Sequence, residues 1–365
     1  MHVLMANGSL SGGGAERMLA LLAGDLRARG HEVSVAALSA GGEVLDRLRH
    51  EGFPILSDIG GAASLPAAIL SARQRAGRLA ARRIDLVHTH DLRSLIEIGA
   101  SRRAGGTFTH VHTFHFGHYP HVPRRHLLLE RLFAGCADRL VAVGYRQRGS
   151  LVAAHGWKAS SVDVLPNGVD ATPGDAGVAA RRGPVRIGSL SAYIPQKGLD
   201  VLLGAARRMK DMGQVFELSI VGDGPLRPEL EALAARLDLR DVVQLPGWAP
   251  DAADRILPTL DVFVQSSLWE AMSMVVLEAM AAARAIVATT VGDNDLMLDG
   301  GRAGLLVPPR DPDALATALT RLVEDATLRH TLGAAALGRQ REMYTTQAMG
   351  ARYEQLYRDA VGRAA

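Results

Sequence analysis

Two carboxylates stand eight residues apart in the run Glu270-Ala-Met-Ser-Met-Val-Val-Leu-Glu278. Asp261-Val-Phe-Val-Gln265 before them reads as a buried strand, Ser266 to Trp269 as a loop, and Ser273 as the N-cap of a helix. Glu270 then sits at the mouth of a strand-to-helix turn, and Glu278 lies just over one turn inside the helix. Such a turn offers unsatisfied backbone N–H groups and the positive end of a helix dipole, which suit an anion, while carboxylates accept hydrogen bonds from hydroxyls. A ligand carrying both phosphates and hydroxyls, such as a nucleotide sugar, fits both halves.

Other segments carry parts of the same chemistry. Ser11-Gly-Gly-Gly-Ala-Glu16 follows the first predicted strand and opens the first helix, so the backbone at Gly13 and Gly14 is free to approach a phosphate or sugar. The same loop also reads as a tight turn with no ligand. It is not a dinucleotide fingerprint, because the third glycine position holds Arg17 and the second strand ends without a ribose-binding acid. Ile187-Gly-Ser189-Leu-Ser-Ala-Tyr-Ile-Pro-Gln-Lys197-Gly198 lies at the corresponding place in the second half. Lys197 there just precedes a helix, where its point charge reaches a diphosphate, although a plain surface lysine fits too. Gly222 and Gly224 in Val221-Gly-Asp-Gly-Pro225 make a strand-end turn that lets the backbone pack beside a base, and turn chemistry accounts for them equally well.

Histidines crowd the first half at 88, 90, 110, 112, 115, 118, 121 and 126. His110 and His112 share a strand face and invite comparison with a metal pair, but no cysteine or acid cluster supports one, and no metal is expected. His115 falls just past a strand end, where a loop residue faces a ligand.

The composition of the 365 residues, 48% hydrophobic and 22% charged, is that of a well-cored two-domain protein. A single cysteine, Cys136, excludes an intramolecular disulfide and is consistent with a reducing cytoplasm. No apolar run approaches the roughly 20 residues of a membrane-spanning helix, and no signal peptide is evident. Net charge is +3, yet Arg73, Arg75, Arg78, Arg82 and Arg83 alternate with Leu65, Ile69, Leu70, Ala76 and Leu79. That pattern fits either a solvated helix with one face in the core or a basic helix lying peripherally on an anionic membrane. Nucleic acid is not expected, since aromatics are 4% and no reading motif is present.

Apolar strand-like runs alternate with amphipathic helical runs throughout, which predicts an α/β fold with parallel sheets covered on both faces. Residues 1–170 form one Rossmann-like domain, 171–183 a linker, 184–343 a second Rossmann-like domain, and 344–365 a helix crossing back to the first. Ligands in such sheets bind beyond the carboxyl ends of the strands.

Taken in order, Gly12-Gly-Gly-Ala-Glu-Arg17, Thr113-Phe-His115, Leu165-Pro-Asn-Gly-Val-Asp170, Pro195-Gln-Lys-Gly-Leu-Asp200, Val221-Gly-Asp-Gly-Pro225, the Glu270/Glu278 motif and Gly304-Leu-Leu-Val-Pro308 resemble glycosyltransferase family 4. The resemblance spans nearly the whole chain. It implies the GT-B architecture of two facing, doubly wound Rossmann-like domains and retention of configuration at the transferred sugar. It further implies a nucleotide-diphosphate sugar donor held mainly by the C-terminal domain, a glycan or lipid-linked acceptor held mainly by the N-terminal one, and no cofactor or metal. By position, Glu278 accepts from ribose hydroxyls and Glu270 from donor-sugar hydroxyls, while Ala271, Met272, Ser273, Met274 and Val275 line that sugar. Lys197 neutralises the leaving diphosphate, His115 lies by the reacting sugar, Gly13 and Gly14 close over the phosphates, and Ser189, Gly222 and Gly224 complete the donor site. The chain departs from the family where an arginine is expected, at Gly188-Ser-Leu190, with about three extra residues before Lys197; Arg255 or Arg284 are candidate replacements. Rival readings are an epimerase or phosphorylase on the same fold, or a binding scaffold without turnover.

Overall fold

The structure, a computed structural model, describes residues 1–38, 41–60, 64–117, 119, 122–170 and 183–364. Two units make up the chain: residues 1–168 with 346–365, and residues 169–345. Residues 171–182 of the expected linker lie outside the described residues.

The first unit runs β1 (His2–Asn7), α1 (Gly14–Ala28), β2 (Glu32–Ala37), α2 (Glu43–His50), α3 (Leu65–Leu70), α4 (Ala72–Ala81), β3 (Leu86–Thr89), α5 (Leu92–Arg103), β4 (Thr109–Phe114), α6 (Arg124–Ala134), β5 (Arg139–Ala142), α7 (Tyr145–His155) and β6 (Val162–Val164). All neighbouring strands pair in parallel, in the order β2-β1-β3-β4-β5-β6. Every residue of β3 and of β4 is buried, as expected of parallel strands covered by helices on both faces. On α1, Met18, Leu19, Leu22, Ala23 and Leu26 recur at helical spacing and are buried; Gly30, at φ 87°, turns the chain toward β2.

The second unit runs β7 (Val185–Leu190), α8 (Leu199–Asp211), β8 (Phe216–Val221), α9 (Arg227–Arg236), β9 (Val243–Gly247), α10 (Ala252–Ile256), β10 (Val262–Gln265), α11 (Met274–Ala281), β11 (Ala285–Thr289), α12 (Asn294–Met297), β12 (Leu305–Val307), α13 (Pro312–Glu324) and α14 (Ala326–Met343). Its parallel sheet has the order β12-β11-β10-β7-β8-β9. The chain starts at β7, builds outward through β8 and β9, then returns to lay β10 on the other side of β7. That reversal between β7 and β10 is the topological switch point, where open α/β sheets place ligands. Pro246 is tolerated in β9 because β9 is an edge strand, beside a register shift against β8. Leu202, Leu203 and Met209 of α8 and Leu315, Leu319 and Leu322 of α13 join one buried core cluster with Ile187, Val262, Val264 and Val287 of the sheet.

The last helix, α15 (Thr346–Ala364), returns to the first unit, where it meets α1 and β4. Its stripe of Met349, Tyr353, Leu356, Tyr357 and Ala360 is buried. Both tyrosines are tied in: Tyr353 Oη lies 3.1 Å from Thr113 Oγ1, and Tyr357 Oη 2.6 Å from His88 Nδ1.

The single basic helix expected from Leu65 onward is two helices, broken at Ser71, and its arginines do not share one solvated face. Arg75 is buried, pairs with Glu97 at 2.8 Å and donates to the Ile59 and Glu97 carbonyls. Arg82 pairs with Asp58 at 2.8 Å, and Arg78 donates to the Asp58 carbonyl. Arg75 therefore works inside the fold and is unavailable to a membrane.

Candidate functional site

In the second unit, two loops meet at the carboxyl end of the sheet at the switch point. One follows β7 and ends in Pro195-Gln-Lys197; the other, Ser266 to Ser273, joins β10 to α11. They are stitched by backbone and side chain: Leu268 N donates to Gln196 O at 2.7 Å, and Ser266 Oγ to Lys197 O at 2.9 Å. Gly198 between them stands at φ 56°, and a Cβ there would lie 2.4 Å from the Ser266 carbonyl oxygen, so no larger residue lets the loops close this way.

Lys197 and Glu270 come together directly, with Nζ 2.6 Å from Oε1. Ser267 Oγ donates to the same carboxylate oxygen at 2.8 Å, and Gln196 Nε2 to the other at 3.2 Å. Gln196 also reaches the Trp269 carbonyl at 3.0 Å. The Glu270 side chain keeps 9% of its surface exposed and that of Lys197 22%, so the pair is sheltered but reachable. Chemically, Lys197 offers a positive charge to an anion, and the Glu270 carboxylate offers acceptors for hydrogen bonds from hydroxyls. Gln196 and Ser267 escaped the sequence reading; the position of Gln196 beside Lys197 in the same turn was the available signal.

Ser273 caps α11, accepting from Val276 N at 3.4 Å. Its hydroxyl is held by Gln265 Nε2 at 2.7 Å, and Gln265 in turn by Asn294 Nδ2 at 2.6 Å, all three residues buried. Ala271, Met272 and Met274 bury their side chains and Val275 is half-buried, leaving backbone to line this end of the sheet. Glu278 lies in the second turn of α11 and is buried. Gly292, at φ 52°, brings its backbone beneath the loop, where a Cβ would lie 2.5 Å from Ala271 O.

The other expected donor residues are also packed within the unit. Ser189 is fully buried and its hydroxyl meets Ser191 Oγ at 3.2 Å. Gly222 and Gly224 are required because the longer loop after β7 packs on them: added Cβ atoms would lie 1.9 Å from Ser191 O and 2.6 Å from Tyr193 O. Tyr193 N donates to Asp223 O, which anchors the extra residues of that loop. Neither candidate for the missing arginine stands beside Lys197. Arg284 is buried and donates to the Leu260 and Ala282 carbonyls, at the amino end of β10, roughly 13 Å of strand away from the Ser266 loop. Arg255 is an exposed residue of α10, whose chain leads into that same amino end.

In the first unit, the carboxyl ends of β1, β3 and β4 carry Gly8 to Gly14, His90-Asp91 and His115. Gly13 precedes α1, and the space a Cβ would need there holds the Glu16 carboxylate, 2.4 Å away. Gly14 is the first residue of α1. Asp91 and Ser94 form a reciprocal cap of α5. His115 Nε2 lies 3.1 Å from His90 Nδ1. His115 keeps some exposed surface, yet desolvation by the packing around it brings its pKa down to about 4. Desolvation, reinforced by neighbouring histidines, also holds His88, His90 and His112 well below the ordinary imidazole value. These rings are neutral at pH 7. His110 Nε2 and His112 Nδ1 each lie 2.9 Å from Thr89 Oγ1, so a hydroxyl stands where a shared metal would be sought. Among the described residues no group of three or more potential ligands is arranged for a metal ion. His118 and His121 lie outside the described residues, and His126 is a half-buried residue of α6.

A six-stranded, doubly wound parallel sheet in each unit is the plan of the GT-B fold. Solved glycosyltransferases share it. HepE of Anabaena, in complex with UDP and glucose, superposes with a TM-score of 0.84 at 20% identity, over 98% of this chain and 100% of that one. A glycosyltransferase of Rickettsia africae superposes with a TM-score of 0.83 at 17% identity, over 99% and 98%. Residues 12–173 match the family model described as Glycosyltransferase Family 4, and residues 184–325 that described as Glycosyl transferases group 1. The D-inositol 3-phosphate glycosyltransferase of Frankia alni is 33% identical over 70% of this chain and 69% of its own. The alpha-D-kanosaminyltransferase of Streptomyces kanamyceticus is 30% identical over 45% of this chain, a match spanning 43% of that protein. The chain belongs to glycosyltransferase family 4.

Proposed function

We propose that the protein is a retaining, metal-independent glycosyltransferase that moves a sugar from a nucleotide-diphosphate donor to a hydroxyl of a glycan or lipid-linked glycan, in cell-surface polysaccharide or glycolipid synthesis. The observation that carries this reading is the Lys197–Glu270 pair at the β7/β10 switch point, beside the capped N-terminus of α11. Charge develops on the departing diphosphate in the transition state, and a lysine with a helix dipole, fixed in advance, stabilises it without reorganisation. Glu270, released by Lys197, accepts from the sugar hydroxyls, and Glu278 from the ribose. With no arginine at the Gly188-Ser-Leu190 position where the family has one, the lysine and the α11 amides take up the leaving-group charge. His115 meets a substrate oxygen from the first unit. Relatives named for D-inositol 3-phosphate, for amylovoran synthesis and for galactosyl transfer to a diphosphoundecaprenol-linked GlcNAc support a hydroxyl acceptor in this range.

A thermal-shift screen of nucleotide sugars identifies the donor, because only a ligand of the folded state raises the melting temperature. Proton NMR of the product with that donor then reads its anomeric configuration. An inverted anomer refutes retention, and donor binding without transfer across a broad acceptor panel favours a scaffold.

Peripheral attachment at the inner face of the membrane belongs to the same reading. Its support is the exposed Ile69 and Leu70 of α3, and Leu128 and Leu132 of α6 among the exposed Arg124, Arg125 and Arg131. No helix of the described residues is long and apolar enough to cross a membrane. Cosedimentation with phosphatidylglycerol vesicles that persisted after Arg124, Arg125 and Arg131 were all changed to Ala would remove α6 from the account.

A further inference from the structure

We propose that His90 is a positioning residue for His115, holding it as the Nδ1–H tautomer so that His115 meets a substrate oxygen as a hydrogen-bond donor and not as a base. The inference rests on the reading of His115 as a substrate-facing residue. His90 follows β3 with 2% of its surface exposed, and its Nδ1 lies 3.1 Å from His115 Nε2. A contact between two neutral imidazoles holds one proton, so one of two arrangements applies.

If His115 Nε2 donates, His90 accepts at Nδ1 and must carry its own hydrogen on Nε2. Among the described residues that buried nitrogen has no partner, so the hydrogen would be a stranded donor. If His90 Nδ1 donates instead, only a bare lone pair is left at His90 Nε2. Buried N–H groups without acceptors are rarer than acceptors without donors, which favours the second arrangement. His115 then carries its single hydrogen on Nδ1, and its ring makes no other hydrogen bond among the described residues.

The support behind His90 is rigid. Its ring lies 3.9 Å from that of His88, centroid to centroid. His88 is gripped at both nitrogens, by Tyr357 Oη at 2.6 Å and Thr113 Oγ1 at 2.7 Å. A run of packed polar groups thus leads from α15 through His88 and His90 to His115, all within the first unit.

The test is a long-range proton–nitrogen NMR spectrum of full-length protein labelled with nitrogen-15 histidine at pH 7.5, with the His115 signals identified by their loss in His115→Asn. Wild type is expected to show His115 as the Nδ1–H tautomer. His90→Leu should lose that preference. His90→Asn, whose amide donates from near the Nδ1 position, should restore it, and His90→Gln, which reaches to the Nε2 position, should not. An Nε2–H tautomer in wild type overturns the proposal, as does an unchanged tautomer in folded His90→Leu. Should His90→Leu fail to fold, the wild-type spectrum alone decides. Release of nucleoside diphosphate from UDP-glucose and GDP-mannose by His115→Ala separates the two readings: undiminished release sinks the substrate-facing role of His115, while the tautomer still reports on His90.

Discussion

Acid should unfold the first unit before the second, because the buried histidines are gathered in one of them. Of the 13 histidines only His330 belongs to the second unit. His110 is fully buried in β4, and desolvation brings its pKa to about 4 from an ordinary 6.5. As pH falls through 6.5 the unfolded chain takes up a proton that the native state refuses until about pH 4. The stability linked to this ring is therefore complete above 6.5, declines by about 1.4 kcal/mol per pH unit through the window, and is fully lost below 4, a total of about 3 kcal/mol. Burial moves His88, His90 and His112 in the same direction, so they contribute with the same sign. Against a typical domain stability of about 5–15 kcal/mol, several such contributions together place unfolding of the first unit above about pH 4. Trp157, stacked on His155 at 4.2 Å, reports that unit in a Trp248→Phe/Trp269→Phe background. Its fluorescence should change in that range, and His110→Asn should flatten the stability slope by about 1.4 kcal/mol per pH unit. A Trp157 signal steady to pH 4, or loss of the second unit first, would refute the burial of these rings as neutral groups.

Lys197→Ala should lower transfer by roughly a hundred- to a thousandfold, the scale of one lost transition-state donor, with the circular dichroism spectrum unchanged; full activity would remove Lys197 from the mechanism. Glu278→Ala should weaken nucleotide-sugar binding measured by calorimetry by about tenfold or more, the value of a charge-assisted hydrogen bond, and unchanged affinity would count against the ribose contact. Ser273→Ala removes the α11 cap and should destabilise the protein by about 0.5–2 kcal/mol in urea titration, with a larger loss of donor affinity than of stability if the helix end holds phosphate. Arg75→Met strands Glu97 in the interior and should cost about 3–5 kcal/mol in the same titration, whereas Arg73→Met at an exposed position should be nearly neutral.

The alternation of apolar runs was enough to read both sheets and the returning helix α15, because fully buried parallel strands and striped helices leave periodic marks in the sequence. Ser273 and the strand before it were legible for the same local reason. What sequence could not give was the use of a residue by a distant neighbour. Arg75 reads as one of a row of surface arginines, and only the approach of α5 makes it a buried partner of Glu97. Gly222 and Gly224 read as a strand-end turn, and only the folded loop after β7, whose Ser191 and Tyr193 carbonyls stand where their Cβ atoms would be, shows why that turn needs glycine. The extra residues of that loop were visible as a departure, but their anchoring on the turn after β8 is a long-range contact with no local signature. His90 was one histidine among many until β3 and β4 paired and brought it to His115.

The central claim is that the β7/β10 switch point of the second unit grips the donor through Lys197, Glu270 and the start of α11. Hydrogen exchange read by mass spectrometry, with and without a saturating nucleotide sugar that raises the melting temperature, tests it most directly. Slowed exchange is expected in peptides covering 195–199 and 266–278; unaltered exchange in both, with protection arising elsewhere, would contradict donor binding at the switch point.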